Sequence, residues 1–170
     1  MSAPSNRSPV SSAPASPAGF DLTPPTPDQR AALVERLSDE ERHVLLSHGT
    51  EAPFCGGLLD NKKPGIYACR LCGLPLFQSA TKFESGTGWP SFTAPFDNAH
   101  LKLVQDTSHG MVRVETLCAR CGSHQGHVFP DGPAPTGLRF CINSVSLAFV
   151  PEGEGLAKSV QDWVEEGAAF

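Results

Sequence analysis

GHVFPDGPAPTGLRFCINS, residues 126–144, passes from a histidine through a Pro/Gly-rich turn into a short apolar run carrying one cysteine. Leu138 to Asn143 is expected to be a strand. Side chains alternate along a strand, so Leu138, Phe140 and Ile142 should face the core, with Arg139, Cys141 and Asn143 opposite. One face then carries a cation, a thiol and an amide in a row. A nearby guanidinium favours the thiolate, the nucleophilic form of cysteine. The same residues also fit a buried, inert cysteine beside an arginine paired elsewhere.

Outward from this stretch, short apolar runs recur between Gly, Pro, Asn and Asp: Ile66–Ala68, Leu101–Val104, Met111–Val114, Val128–Phe129 and Val145–Val150. That grammar reads as an all-β sandwich or barrel. His109-Gly110 between two alternating segments predicts a hairpin-like turn. Before residue 50 the signals are helical. Thr26-Pro27-Asp28-Gln29 and Ser38-Asp39-Glu40-Glu41 are capping sequences, and His48-Gly49 should close the second helix. His43 and His48 read as surface or capping residues. Residues 1–25, rich in Ser, Pro and Ala, are expected to be a disordered tail. A domain should span 26–151, followed by an acidic, Gly-rich tail over 152–170 in which Trp163 and Val164 hint at a weak helix.

Composition excludes several classes. The charge of 13 basic against 18 acidic residues, with no basic cluster, argues against nucleic acid as a partner. No apolar run approaches the ~20 residues of a membrane span, and no apolar secretory segment opens the chain. A cytoplasmic protein is expected, in which six cysteines serve metal and redox chemistry rather than structural disulfides.

Cys69-Arg-Leu-Cys72-Gly and Cys118-Ala-Arg-Cys121-Gly are two C-x-x-C-G units of near-identical design. Four thiolates from two such knuckles make the tetrahedral set that zinc prefers, with no open position, so the metal would be structural; iron is the alternative. Between them lies Ser85-Gly-Thr-Gly-Trp89-Pro-Ser-Phe92, a tightly shaped loop. Its indole either offers an open face to methyl groups and sulfur or is a core side chain held by a turn. His124 and His127 follow the second knuckle. With zinc already satisfied, they read as acid/base groups or as half-buried residues.

These residues together resemble the methionine-R-sulfoxide reductases, the MsrB family. The matching pieces are HGTEAPF (48–54), both C-x-x-C-G units, KFESGTGWPSF (82–92) and the whole of 126–144, within a segment from about Ser38 to Pro151. The resemblance implies a mainly β fold of two antiparallel sheets with short N-terminal helices and a structural zinc. It implies reduction of methionine-R-sulfoxide, mainly in proteins and peptides, back to methionine. By matching positions, Cys141 is the nucleophile, His124 and His127 are active-site histidines, Arg139 and Asn143 flank the nucleophile, and Trp89, with Phe92, binds substrate. Many members of the family carry a resolving cysteine in G-C-G-W; here that position is Thr87. Cys55 is the one thiol left, and it is expected to form a disulfide with Cys141 that thioredoxin reopens; the alternative is a structural loop residue, with external thiols reducing Cys141 directly. A monomer is expected. The rival classes are a zinc-stabilised binding module without catalysis and a thiol peroxidase.

Overall fold

The computed structural model describes residues 15–166. Two helices, α1 (Pro27–Glu35) and α2 (Asp39–Ser47), precede the sheets. Both begin with the reciprocal capping the sequence predicts. Thr26 Oγ1 accepts from Gln29 N at 3.2 Å while Gln29 Oε1 accepts from Thr26 N at 2.9 Å. Ser38 and Glu41 repeat the exchange, and α2 ends on His48 in the left-handed conformation. Acidic residues crowd the first turn of α2, where the helix dipole favours them. Leu33, Val44 and Leu45 anchor the pair to the core.

Among the described residues nine strands follow: β1 (Gly65–Cys69), β2 (Pro75–Gln78), β3 (Lys82–Phe83), β4 (Ser91–Phe92), β5 (Leu101–Asp106), β6 (Arg113–Cys118), β7 (His124–Phe129), β8 (Arg139–Ile142) and β9 (Leu147–Pro151). They form two antiparallel sheets, ordered β2-β1-β9 and β3-β4-β8-β7-β6-β5. An aromatic layer joins the sheets. Phe77 of β2 stacks on Phe92 of β4 at 4.4 Å and meets Phe140 of β8 at 5.7 Å, while Tyr67 of β1 lies edge-on to Phe92 at 5.1 Å. Such pairs add about 0.5–1.5 kcal/mol each beyond the apolar area they bury. The turn expected at His109-Gly110 is present, with both residues at positive φ.

Three departures from expectation have local causes. Leu138 does not face the core. It is 37% exposed because it still belongs to the turn, where its N–H donates to Thr136 Oγ1, and β8 begins one residue later. Phe92 is fully buried between the sheets, so it cannot touch a substrate; β4 points it inward and Ser91 outward. The third concerns the ends of the chain. The tail expected over 1–25 lies outside the described residues only as far as 14. From Ala15 the chain is seated on the domain: Phe20 is buried against Phe96 and His100, and Ser16 Oγ lies 2.8 Å from His100 Nε2. At the other end the helix hinted at by Trp163 and Val164 forms as α3 (Val160–Glu166), but it buries Val160 and Trp163 against the domain rather than lying in a free tail. The buried guanidinium of Arg120 donates to Asp21 O at 2.8 Å and Lys158 O at 2.9 Å, tying both terminal segments to the second knuckle. Four carbonyls, of Asp21, Cys72, Ala157 and Lys158, satisfy a cation that would otherwise be costly to bury.

Candidate active site and metal centre

The two knuckles are built alike. In each, the glycine N–H donates back to the carbonyl of the first cysteine at 2.8 Å, from Gly73 to Cys69 and from Gly122 to Cys118. Both glycines sit at positive φ, near 80°, which an L side chain resists. The turns bring four free sulfurs together, with Cys69–Cys121 at 3.6 Å and Cys72–Cys118 at 3.5 Å. Ligands about 2.3 Å from a tetrahedral zinc stand roughly 3.8 Å apart. The spacing therefore suits a metal and is far too long for disulfides. Ser123 Oγ lies 3.3 Å from Cys69 Sγ and Gln125 Nε2 lies 3.5 Å from it, so polar groups already surround the sulfurs. The four cysteines could hold one metal ion.

The candidate active site stands on the other side of the same six-stranded sheet from the aromatic layer. Cross-strand partners share a face, and the register aligns Val104, Glu115, His127, Cys141 and Ser91 in one row across five strands. A neighbouring row pairs Asp106 with Arg113 and Phe129 with Arg139. The strand alternation of β8 is as expected from Arg139 onward: Phe140 and Ile142 are buried, while Arg139 and Cys141 are half-buried on the open face. A cleft of about 250 Å³ opens there, lined by Thr87, Trp89, His127, Arg139, Cys141 and Asn143 among others.

Glu51 organises one wall of this cleft. Its buried carboxylate accepts the N–H groups of Ser144 at 2.8 Å and Val145 at 3.0 Å. Burial pushes this carboxyl up, and the backbone donors oppose the shift. Its own backbone N–H donates to Asn143 Oδ1 at 3.0 Å, and its carbonyl accepts from Trp89 Nε1 at 3.0 Å. The indole, which lines the cleft, is thereby anchored at its N–H. Asn143 also donates to Gln125 O at 3.1 Å, using one of the two N–H bonds its amide can offer.

The electrostatics of Cys141 differ from the sequence expectation. Burial pushes its thiol up, and Arg139 and the Thr87 hydroxyl only partly counter this. The guanidinium is already engaged: Nε and Nη2 of Arg139 fork onto the Asp131 carboxylate at 2.9 and 3.1 Å, over the Phe129 ring. An arginine whose charge is largely neutralised by its own partner favours a neighbouring thiolate less.

The histidines have separate settings. His127 lines the cleft, and its Nε2 lies 2.8 Å from Asp106 Oδ2. His124 is buried behind it, outside the cleft lining, with ring centroids 5.5 Å apart. Its Nδ1 lies 2.6 Å from Glu115 Oε2, the same oxygen that His48 Nδ1 approaches, and burial pushes His124 down. His48, Glu115 and His124 have the residue types of a metal site. However, ligands on a common ion at about 2.0–2.1 Å stand roughly 3.3 Å apart, and 2.6 Å is a hydrogen-bond distance. Hydrogen bonding accounts for the cluster.

Residues 37–151 match the SelR domain family model. A Caulobacter vibrioides protein named peptide methionine sulfoxide reductase MsrB is 71% identical over 141 residues, covering 83% of this chain and 89% of that one. The chain belongs to the SelR, or MsrB, family. Proteins of the same name from Xylella fastidiosa (65% identity; 79% of this chain, 86% of the relative) and Methanosarcina barkeri (59%; 70% and 84%) are also similar.

Within this SelR domain the structure brings together Cys141, His127, Arg139, Asn143 and Trp89 around one cleft, and places His124 one shell behind. Phe92 is excluded by burial. Cys55 is exposed and is not part of the cleft lining, but its loop reaches the rim: Phe54 N donates to Gly88 O at 2.7 Å, next to Thr87. Gly56 allows this path, since a Cβ there would fall 2.1 Å from Ser144 Oγ and 2.5 Å from the Glu51 carboxylate. Sequence reasoning missed Glu51, Asp106, Arg113, Glu115 and Asp131. Glu51 and Asp131 lie inside the matched stretches 48–54 and 126–144, which could have marked them, whereas Asp106, Arg113 and Glu115 sit in ordinary strands and only the sheet register brings them to the site.

Proposed function

We propose that this protein reduces methionine-R-sulfoxide in oxidised proteins and peptides, with Cys141 as nucleophile, and that it works as a monomer in the cytoplasm. The observation that carries the reading is the single row on the open sheet face, where Cys141 and His127 stand side by side in the cleft that the anchored Trp89 also lines. Cys141 sulfur attacks the sulfoxide sulfur, and His127 gives a proton to the oxygen of the resulting adduct; the hydroxyl then passes to the Cys141 sulfur as the S–O and S–S bonds to the substrate sulfur break. Thiolate, sulfoxide oxygen and one proton give Cys141 sulfenic acid, and the thioether methionine departs. The cysteine sulfur is oxidised and the substrate sulfur reduced. Trp89 takes the methyl group on its apolar face, while Asn143 and Arg139 lie on the polar side. Exchanging oxygen and methyl would set a polar atom on an apolar wall, which disfavours the S epimer.

Cys55 then attacks the sulfenic acid, expelling water and forming a Cys55–Cys141 disulfide, which the dithiol of thioredoxin reduces. Support comes from the position of its loop at the cleft rim and from the exposure of its thiol. Cys69, Cys72, Cys118 and Cys121 hold zinc; a closed four-sulfur set supplies folding energy and no catalytic position.

The test supplies peptide-bound R and S sulfoxides separately in single turnover. The R epimer alone should yield methionine, and Cys141→Ser should yield none. Cys55→Ser should release one equivalent and then stall with thioredoxin. Equal rates for both epimers, or faster turnover of a hydroperoxide, would overturn the reductase reading. A Cys55→Ser protein cycling at the wild-type rate with thioredoxin would remove the resolving role.

A further inference from the structure

We propose that Asp106 is a positioning residue for the reaction: its carboxylate accepts the Nε2 proton of His127, so that Nδ1 is the ring nitrogen presented to the oxygen of the bound sulfoxide. This rests on the reductase reading above and adds to it a residue that neither composition nor motif marks.

Asp106 closes β5, directly across the ladder from Arg113, and its Oδ2 lies 2.8 Å from His127 Nε2. The carboxylate cannot swing away. Oδ1 accepts the N–H of Ser108 at 2.9 Å, and Oδ2 also accepts from Arg113 Nη2 at 3.2 Å. The hairpin turn after β5 and the neighbouring strand therefore aim one acceptor position at the imidazole. The bonds from His127 and Ser108 hold the Asp106 carboxyl well below the usual carboxylate range. It is ionised, and an ionised carboxylate can only accept. Nε2 must then carry the hydrogen.

The consequence falls on the other nitrogen. Nδ1 of His127 has no hydrogen-bond partner among the described residues, and the ring lines the cleft beside Cys141. In the neutral ring with Nε2 protonated, Nδ1 holds the lone pair; in the imidazolium it holds the proton that the sulfoxide oxygen needs. Rotating the ring by 180° would exchange Nδ1 with a carbon and remove the donor. It would also break the Asp106 bond, so the carboxylate selects the productive orientation as well as the tautomer. A carboxylate that fixes a catalytic imidazole through its far nitrogen is a general device of acid–base sites. Behind the ring, His124 packs edge-on at 5.5 Å and limits the space for rotation.

The experiment uses the zinc-loaded full chain labelled with ¹⁵N-histidine, with the His127 signals assigned by their loss in His127→Asn. Long-range ¹H–¹⁵N spectra of the wild type should show the neutral ring of His127 protonated at Nε2. Asp106→Asn should lower the single-turnover rate of methionine formation by about 10- to 100-fold. KM should change far less, with zinc content and melting temperature kept, and the His127 ring should show mixed tautomers. A wild-type ring protonated at Nδ1 would overturn the proposal without recourse to any variant, so poor folding of Asp106→Asn does not shield it. An Asp106→Asn protein with the wild-type single-turnover rate, or a loss confined to KM, would also overturn it. Failure of the wild type to reduce either epimer is a different result: it sinks the reductase reading, while the tautomer measurement still stands by itself.

Discussion

The knuckle end and the cleft face use the same amino acid for opposite purposes. Cys69, Cys72 and Cys118 are fully buried, their turns are closed by backbone hydrogen bonds, and Ser123 and Gln125 supply polar contacts to the sulfurs. Cys141 lies on the same sheet as Cys118 but is half-buried on its open face, beside a histidine with one nitrogen unengaged and below an aromatic wall. Thiol chemistry is identical in the two places. What differs is whether the surrounding groups close on the sulfur or leave room for a second molecule. A sulfur enclosed by three others can lend energy to the fold, whereas a sulfur left with a free approach can react.

The comparison breaks most sharply through the metal. Cys118→Ser should lose zinc and the folded state together, since structural zinc sites contribute on the order of 10 kcal/mol to folding. Metal analysis alongside a thermal melt reads this, and a metal-free protein melting at the wild-type temperature would show that the knuckles are not the anchor. Cys141→Ser serves as the contrast in the same assay and should keep both zinc and melting temperature.

Phe92→Ala gives a smaller effect of the same structural kind. Removing a ring stacked at 4.4 Å on Phe77 should cost about 3–5 kcal/mol of stability. The loss would appear as a lower urea midpoint, with KM for the sulfoxide unchanged in the molecules that remain folded. A raised KM at wild-type stability would return Phe92 to the substrate site.

The smallest effect sharpens the cleft side. Because burial pushes the Cys141 thiol up, its alkylation rate should rise with pH through a midpoint above that of an exposed thiol. Arg139→Ala removes the favourable charge and should move that midpoint higher still. Asp131→Asn frees the guanidinium from its fork and should move it lower. Shifts of the opposite signs, read from iodoacetamide rates against pH with Cys141→Ser as blank, would show that Arg139 does not act on the thiol through its charge.

Much of the framework is legible in the chain because it is local. A helix cap needs only residues three apart, and both capping boxes form as Thr26–Gln29 and Ser38–Glu41 imply. A knuckle needs two cysteines and a glycine in five residues. Strand alternation within 139–142 separates Cys141 from Phe140 before any partner strand is known. Other elements lack the length to announce themselves. β3 and β4 have two residues each, too few to show a period, and their existence depends on pairing with each other and with β8. Phe92 was misplaced for that reason: the motif around it suggested a substrate wall, but its side of the strand is set by the register with Phe140. The segment around Phe20 fails differently, since its few apolar side chains find a core only because His100 and Arg120 present partners from far along the chain.

By itself, then, the sequence determined the two helix starts, the four-sulfur set, the strand that carries Cys141 and the family, all of which rest on patterns within a few residues or on matched motifs. Tertiary structure alone decided which charges serve the site. Asp106, Glu115 and Glu51 reach the histidines and the cleft wall through strand register and loop packing, and Asp131 engages the arginine meant for Cys141. The physical reason is range. Backbone conformation and alternation are set by neighbours in the chain, but the charge a thiol or an imidazole experiences depends on groups brought near by folding, whatever their distance in sequence.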